Sequence, residues 1–454
     1  MQDSKVDIRG PVHGTKDARR VAGGSAVGAM IESYDFIGFG TASALYLGAA
    51  FFPGQDPMTG VLASFATLGV GFIARPIGGV IGGHLGDKVG RKPVLVASLL
   101  LMGLATFLIG CLPTYDQVGV LAPILLVTVR ILQGLAFGAE WGGAILMTYE
   151  HAPWKSKGFF TSFVQAGFPV GLLLANLVFL VSVALPGDWA WRTPFLFSAV
   201  LVFVGMIIRS KVPESPVFDE VKNSGTVVKS PIIEVFRTDW RNIVRGIGLR
   251  VAETAGYAVA ITYMMSYIVN HEPPIGSNRD TLLALCIAAA LGSFATVWWG
   301  RNTDKRGRRP QYIYICAFSI AWAFPMFVLV NTGSTLLMIV VFIVSYCVCQ
   351  NALAGAQGAW FPELFSANVR SSGASLAYQI SAMISGVTPF ATTLLYINFD
   401  WYGPAILFAA YALCGLIAAV STKETWSKEL RDEVDKITAE TITDRVAAVE
   451  SQKI

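Results

Sequence analysis

Charge is scarce in this sequence. Asp, Glu, Lys and Arg make up 14% of its 454 residues, where a soluble domain averages roughly 25%. Histidine is scarcer: His13, His84, His151 and His271 are the whole set, and none lies deep in an apolar stretch. The six cysteines, Cys111, Cys286, Cys316, Cys347, Cys349 and Cys414, all fall in or at the ends of apolar runs. Cys347 and Cys349 lack the C-x₂-C spacing of a metal site, and residues two apart on a helix do not face each other. All six read as small packing residues. The Gly- and Arg-rich stretches have neither the spacing nor the preceding strand of a P-loop. With no metal cluster, nucleophile–base pair or cofactor loop, the sequence predicts no cofactor and no enzyme.

Apolar residues fill the space that charge leaves. They form 54% of the chain, in runs long enough to cross a bilayer, which takes about 20 mostly apolar residues. The predicted spans are 22–50, 59–82, 93–112, 121–147, 158–184, 192–209, 243–269, 281–300, 311–331, 335–361, 371–396 and 402–421. An all-α membrane protein of twelve transmembrane helices is expected. No cleavable signal peptide is expected either: the first run is too long for a signal core and carries Glu32 and Asp35.

Lys and Arg gather in the N-terminal tail, in the 2–3, 4–5, 6–7 and 8–9 loops, and in the C-terminal tail, with Arg279 as the exception on the other side. The positive-inside rule then places both termini in the cytoplasm, as an even number of spans requires. These basic loops are short and lie at the membrane surface. Anionic lipid headgroups suit them as partners; nucleic acid does not.

A short motif occurs twice. "GHLGDKVGRKP" occupies 83–93 and "GRNTDKRGRRP" occupies 300–310, so Asp87 and Asp304 stand 217 positions apart. "YEHAP" at 149–153 and "FPELF" at 361–365 form a second echo, carrying Glu150 and Glu363. The polar stretch 210–241 separates the copies. The expected division is an N-terminal six-helix half, 1–209, a cytoplasmic linker, 210–241, a C-terminal half, 242–421, and a cytoplasmic tail, 422–454. The tail reads as solvated, or as a short surface helix spaced by Leu430, Val434 and Ile437. Each motif is predicted to tie helix ends together. Its glycines allow a tight turn and close approach, and an Asp beside a helix N-terminus interacts favourably with the dipole. Arg91 and Arg308 are expected to pair with Glu150 and Glu363, as a latch of modest strength.

The pattern G-x-L-x-D-K-x-G-R-K at 83–92, looser at 300–309, resembles the signature loop of the major facilitator superfamily. "IESYDF" (31–36), "ARPIGGVIGGHLGDKVGRK" (74–92), "RILQGLAFGAEWGGA" (130–144), "WAWRTPFLF" (189–197) and "PELFSANVRSSG" (362–373) narrow the resemblance to the metabolite:H⁺ symporters. That family includes shikimate, 2-oxoglutarate, citrate and proline/betaine permeases. Ser33, Ala139, Lys157 and Ser371 depart from its usual Trp, Gly, Arg and aromatic. The resemblance implies two pseudo-symmetric halves that rock about a mid-membrane site. It implies proton-coupled import of a small organic acid at the inner membrane, by a protein functional as a monomer. Uptake of a proline- or betaine-like zwitterion, and an exporter or exchanger on the same fold, are the alternatives. Asp87, Arg91, Glu150, Asp304, Arg308, Glu363 and Arg370 become the candidate cytoplasmic gate.

Ionised groups inside a membrane cost on the order of 2.5–3.5 kcal/mol each on insertion scales, which marks them as functional candidates. Glu32 and Asp35 are three apart and share a helix face; close carboxylates repel, so one should hold a proton more readily, as proton coupling requires. Arg130, Gln133, Phe137 and Glu140 form a stripe on span four. Arg130, with its carboxylate-matching fork, is expected to bind an anionic group or to clamp Asp35. Arg75 is a cavity candidate or a snorkelling anchor. Arg250 and Glu253 are expected to line the cavity or neutralise each other. Asn351, Gln357 and Gln379 line the cavity or join helices, and Tyr34 packs on substrate or in the core. Gly167 and Gly171, flanking Pro169, predict close packing or a bend in span five.

Overall fold

The computed structural model describes residues 15–53, 57–89, 91–138, 143–210, 239–365 and 370–433. Among them the chain is helical and without strands. Span one is Thr15–Ala42, carried through the π-helical turn Ser43–Leu47 into Gly48–Phe51. Span two is Pro57–Val89 and span three Arg91–Cys111. Span four is Leu121–Gly138, with Gly143–His151 beyond it; span five is Lys157–Ser182 and span six Trp189–Ser210. Span seven is Trp240–Tyr257, the π-helical turn Ala258–Tyr263 and Met264–Asn270. Span eight is Asn278–Arg306 and span nine Arg308–Val330. Span ten is Thr335–Ile343, the π-helical turn Val344–Gln350 and Asn351–Glu363; span eleven is Arg370–Phe399 and span twelve Tyr402–Ser421.

Nine helices among the described residues are long and apolar enough to cross a membrane, and Val96–Cys111 in span three is a shorter apolar one. Spans one and seven contain Glu32 and Asp35, and Arg250 and Glu253. Those charges dilute the hydropathy of helices that otherwise have membrane length.

Apolar side chains face outward as well as inward, unlike those of a soluble protein. Large apolar side chains point outward, among them Phe294 at 78% exposure and Val181 at 74%. Inside lie Arg130, Gln133, Asn176 and Arg308, all fully buried. This is the arrangement lipid demands, because polar groups facing hydrocarbon lose their hydrogen-bond partners.

Glycine sets the closest helix contacts. A Cβ on Gly134 or Gly138 of span four would run into the carbonyls of Gly71 and Arg75 on span two. These glycines are four apart, the small-xxx-small spacing that lets membrane helices approach. Gly167 and Gly171 of span five do the same against the carbonyls of Ala26 and Met30 on span one. Ser33 packs there against Gly171, and its hydroxyl donates to the carbonyl of Ala29, 2.6 Å away.

The repeated motif is less of a loop than its sequence suggests. Helix continues to Val89 in the first copy and to Arg306 in the second. In the second copy Gly307 alone breaks the helix, at φ 97°, a conformation that favours glycine. The C-terminal segment also departs from the solvated reading. Trp426 is buried. Both oxygens of Glu424 accept from the first amides of span nine, Arg308 at 3.1 Å and Arg309 at 2.9 Å. Residues up to 433 include a further short helical stretch.

Candidate functional site

The described mid-membrane charges of the first half come from spans one, two and four. Arg130 projects from span four, where Gly71 of span two leaves room for its guanidinium. Its Nη1 donates to Oε1 of Gln133, one turn along. The plane of Arg130 lies over the rings of Phe36, 4.2 Å from the centroid, and Phe39, at 4.1 Å. Its Nε and Nη2 have no hydrogen-bond partner. Arg75 of span two sits in a cage of Phe36, Phe72 and Phe137, at 3.8, 4.3 and 3.7 Å from their centroids. Phe36 thus faces both guanidinium groups. Such contacts are worth up to about 2 kcal/mol or more when desolvated, and they hold cations in place without neutralising them.

Asp35 is buried, and neither of its oxygens has a hydrogen-bond partner. No ion pair joins it to Arg130, so the clamp considered from sequence is not formed. Asp35 lines a small cavity with Tyr34, Gly38, Thr106, Phe179, Pro194 and Phe195. The Thr106 hydroxyl there accepts from Nε2 of Gln133 at 2.8 Å and donates to the carbonyl of Met102 at 2.9 Å. A polar chain therefore leads from the cavity beside Asp35 through Thr106 and Gln133 to Arg130. Glu32, also buried, lies close enough to Arg75 for their charges to interact. Tyr34 donates through its hydroxyl to the carbonyl of Pro194, 2.7 Å away, which ties span one to span six.

The second half holds a different set. Arg250 Nη1 lies 3.1 Å from Oε2 of Glu253 and donates to Oε1 of Gln357 at 2.5 Å. Its guanidinium lies 3.8 Å from the centroid of the Tyr378 ring. Gln357 in turn donates to the Tyr312 hydroxyl at 2.5 Å, joining spans seven, nine and ten. Asn351 and Gln379 are buried with Nδ2 and Oε1 respectively unpartnered.

On the face that carries the repeated motif, Asp304 crosses between the halves. Its oxygens accept from the amides of Gly158 and Phe159 at 2.8 Å each, at the start of span five. A carboxylate at that position meets the positive end of the helix. Arg308 lies 3.0 Å from Asp304 and 3.4 Å from Glu363. Thr425 donates to the other oxygen of Glu363, and Trp426 Nε1 donates to the carbonyl of Asp304 at 2.9 Å. On the opposite face, Asn270 of span seven donates to the carbonyl of Ala44 on span one, 3.1 Å away.

Of the sequence candidates, Glu150 is exposed. Glu140 and the side chains of Asp87, Arg91 and Arg370 lie outside the described residues. Thr106, Phe36, Phe39, Phe72, Tyr312, Tyr378, Glu424 and Trp426 were not singled out as site residues from sequence. Glu424 alone carries a sequence signal, a carboxylate just past the last span and so within reach of helix ends.

A family model described as the Major Facilitator Superfamily matches residues 26–387. The shikimate transporter of Escherichia coli strain K12 is 36% identical over 437 residues, covering 93% of this chain and 99% of that protein. The proline/betaine transporter of Salmonella typhimurium is 32% identical over 428 residues, covering 91% and 85%. A solved structure of a major facilitator proton:xylose symporter bound to 6-bromo-6-deoxy-D-glucose superposes with a TM-score of 0.69 at 18% identity, over 93% of this chain and 99% of that one. The last match is one of fold.

Proposed function

The chain belongs to the major facilitator superfamily, and from that premise we propose that it imports a small organic acid together with a proton by alternating access. It is a multi-pass membrane transporter and not an enzyme. The proposal rests most on one observation: a buried carboxylate without a hydrogen-bond partner, Asp35, shares a cavity with Thr106, from which hydrogen bonds run through Gln133 to a half-satisfied guanidinium, Arg130. An ionised carboxylate buried without a partner is costly, and a proton removes the cost. Arg130 offers Nε and Nη2, one edge of its fork, to a carboxylate.

Asp35 is assigned as the proton carrier, with Glu32 beside Arg75 as its neighbour. Arg130 is assigned to the substrate carboxylate, with Gln133 orienting it. Arg75, Tyr34, Glu140, Arg250, Glu253, Asn351, Gln357 and Gln379 complete the proposed cavity wall. The halves 1–209 and 242–421 move about this site, joined by the cytoplasmic linker 210–241. Asp87, Arg91, Glu150, Asp304, Arg308, Glu363 and Arg370 form the cytoplasmic gate, and both termini face the cytoplasm. The protein works as a monomer in the inner membrane. The relation to a shikimate transporter supports an organic acid. The relation to a proline/betaine transporter favours a zwitterion as the second reading.

The test is uptake into proteoliposomes under an imposed inward proton gradient, with shikimate, 2-oxoglutarate, citrate, proline and glycine betaine as probes. Accumulation of an acid that collapses on adding a protonophore is expected. Accumulation of betaine or proline alone would transfer the assignment to the zwitterion, and uptake indifferent to the proton gradient would remove proton coupling.

A further inference from the structure

The described mid-membrane charges divide into two pairs and two single groups. Arg250 and Glu253 are paired at 3.1 Å. Arg75 and Glu32 are neighbours of opposite charge, and Glu32 also acts on Asp35 and Arg75 on Arg130. Asp35 and Arg130 remain, and neither has an oppositely charged partner. Each pair sums to zero. The balance of the site therefore turns on one carboxyl and one guanidinium.

We propose that the site carries one proton with one monocarboxylate, so that transport is electroneutral. With Asp35 ionised, the charges of Asp35 and Arg130 cancel across Thr106 and Gln133, and the empty site closes neutral. With Asp35 protonated, Arg130 is uncompensated, and one carboxylate restores neutrality. Closing a low-dielectric site over a net charge is penalised, so these two neutral states are the ones that cross.

The same count sets the substrate class. Among the described residues a second carboxylate finds no unclaimed cation: Arg250 is held by Glu253 and Gln357, and Arg75 lies beside Glu32. Among the described residues, the ammonium of a zwitterion finds no unclaimed carboxylate once Asp35 holds the proton. Titratable and charged groups around Asp35 are few: Glu32 and Tyr34 on its own helix, Arg75 on span two and Arg130 on span four. The other spans lining its cavity supply Thr106, Phe179, Pro194 and Phe195.

This inference rests on the proposed function, and its test separates the two. Wild-type protein in proteoliposomes takes up shikimate under a fixed pH gradient while potassium and valinomycin set the membrane potential. The expected result is a steady-state accumulation that rises tenfold per unit of pH gradient and does not change between 0 and −100 mV. One net positive charge per cycle would instead raise accumulation roughly fortyfold over that range. That result, or succinate or glycine betaine outcompeting shikimate, would overturn the stoichiometry while leaving proton-coupled uptake intact. Absence of any proton-driven uptake would remove both.

Discussion

Thr106 is a hydroxyl in an apolar helix, yet it lies between the candidate proton site and the candidate anion site. It accepts from Gln133, and Gln133 accepts from Arg130. Thr106→Val keeps the shape, removes the hydroxyl and leaves the Gln133 amide without its acceptor, a loss of about 1–3 kcal/mol. Proton-driven uptake is expected to fall about tenfold and its pH dependence to shift, while Thr106→Ser restores both. An unchanged pH profile in the valine variant would show Thr106 to be packing only. Arg130→Lys keeps the charge but not the planar fork, and is expected to weaken acid binding at least tenfold in a competition assay; wild-type affinity would place the carboxylate elsewhere. At this scale the sequence was half legible. Arg130 and Gln133 are a turn apart, so their pairing can be read from spacing. Thr106 is 27 positions from Gln133, and only the packing of span three on span four brings them together. Threonine in a membrane helix usually just satisfies its own helix, and Thr106 does that too.

Helix pairs set where those residues stand. Gly134 and Gly138 bring spans two and four to backbone contact, and Gly167 and Gly171 do so for spans five and one. Spans one and seven, in equivalent places of the two halves, each carry a π-helical turn just beyond the charged residues, a local geometry frequent at functional sites. Gly134→Val is predicted to push spans two and four apart, displace Arg130 and Arg75, and lower thermal stability by about 1–3 kcal/mol, as overpacking does. Thermal unfolding in detergent, with substrate binding measured in parallel, checks it; unaltered stability would mean the contact is loose. The close packing of span five was readable from Gly167, Pro169 and Gly171. Spans two and four were not matched in advance, because glycine is abundant in both and nothing in sequence says which glycine faces which helix. The π-helical turns leave no sequence mark at all.

Across the whole molecule, the halves meet on both faces. Asp304 on the second half caps span five of the first, and Arg308, Glu363, Thr425 and Trp426 hold it there. Asp304→Asn keeps the side-chain shape but removes one of the two carboxylates paired with Arg308. It is predicted to slow turnover several-fold with little change in affinity; an affinity defect alone would contradict a gating role. The two-halved plan was legible from the repeated motif and from the twelve apolar runs. The docking of the C-terminal segment was not, since its polar composition is that of a solvated tail and only the partner surface gives Glu424 and Trp426 their contacts.

The central claim is that Asp35 carries the proton and Arg130 the acid. Asp35→Asn separates those roles, because it fixes the side chain in an uncharged form. In proteoliposomes the variant is predicted to exchange labelled for unlabelled shikimate across the membrane at a substantial rate, while accumulating none under a proton gradient. Accumulation at the wild-type level would contradict the account, because the proton would then travel on another group.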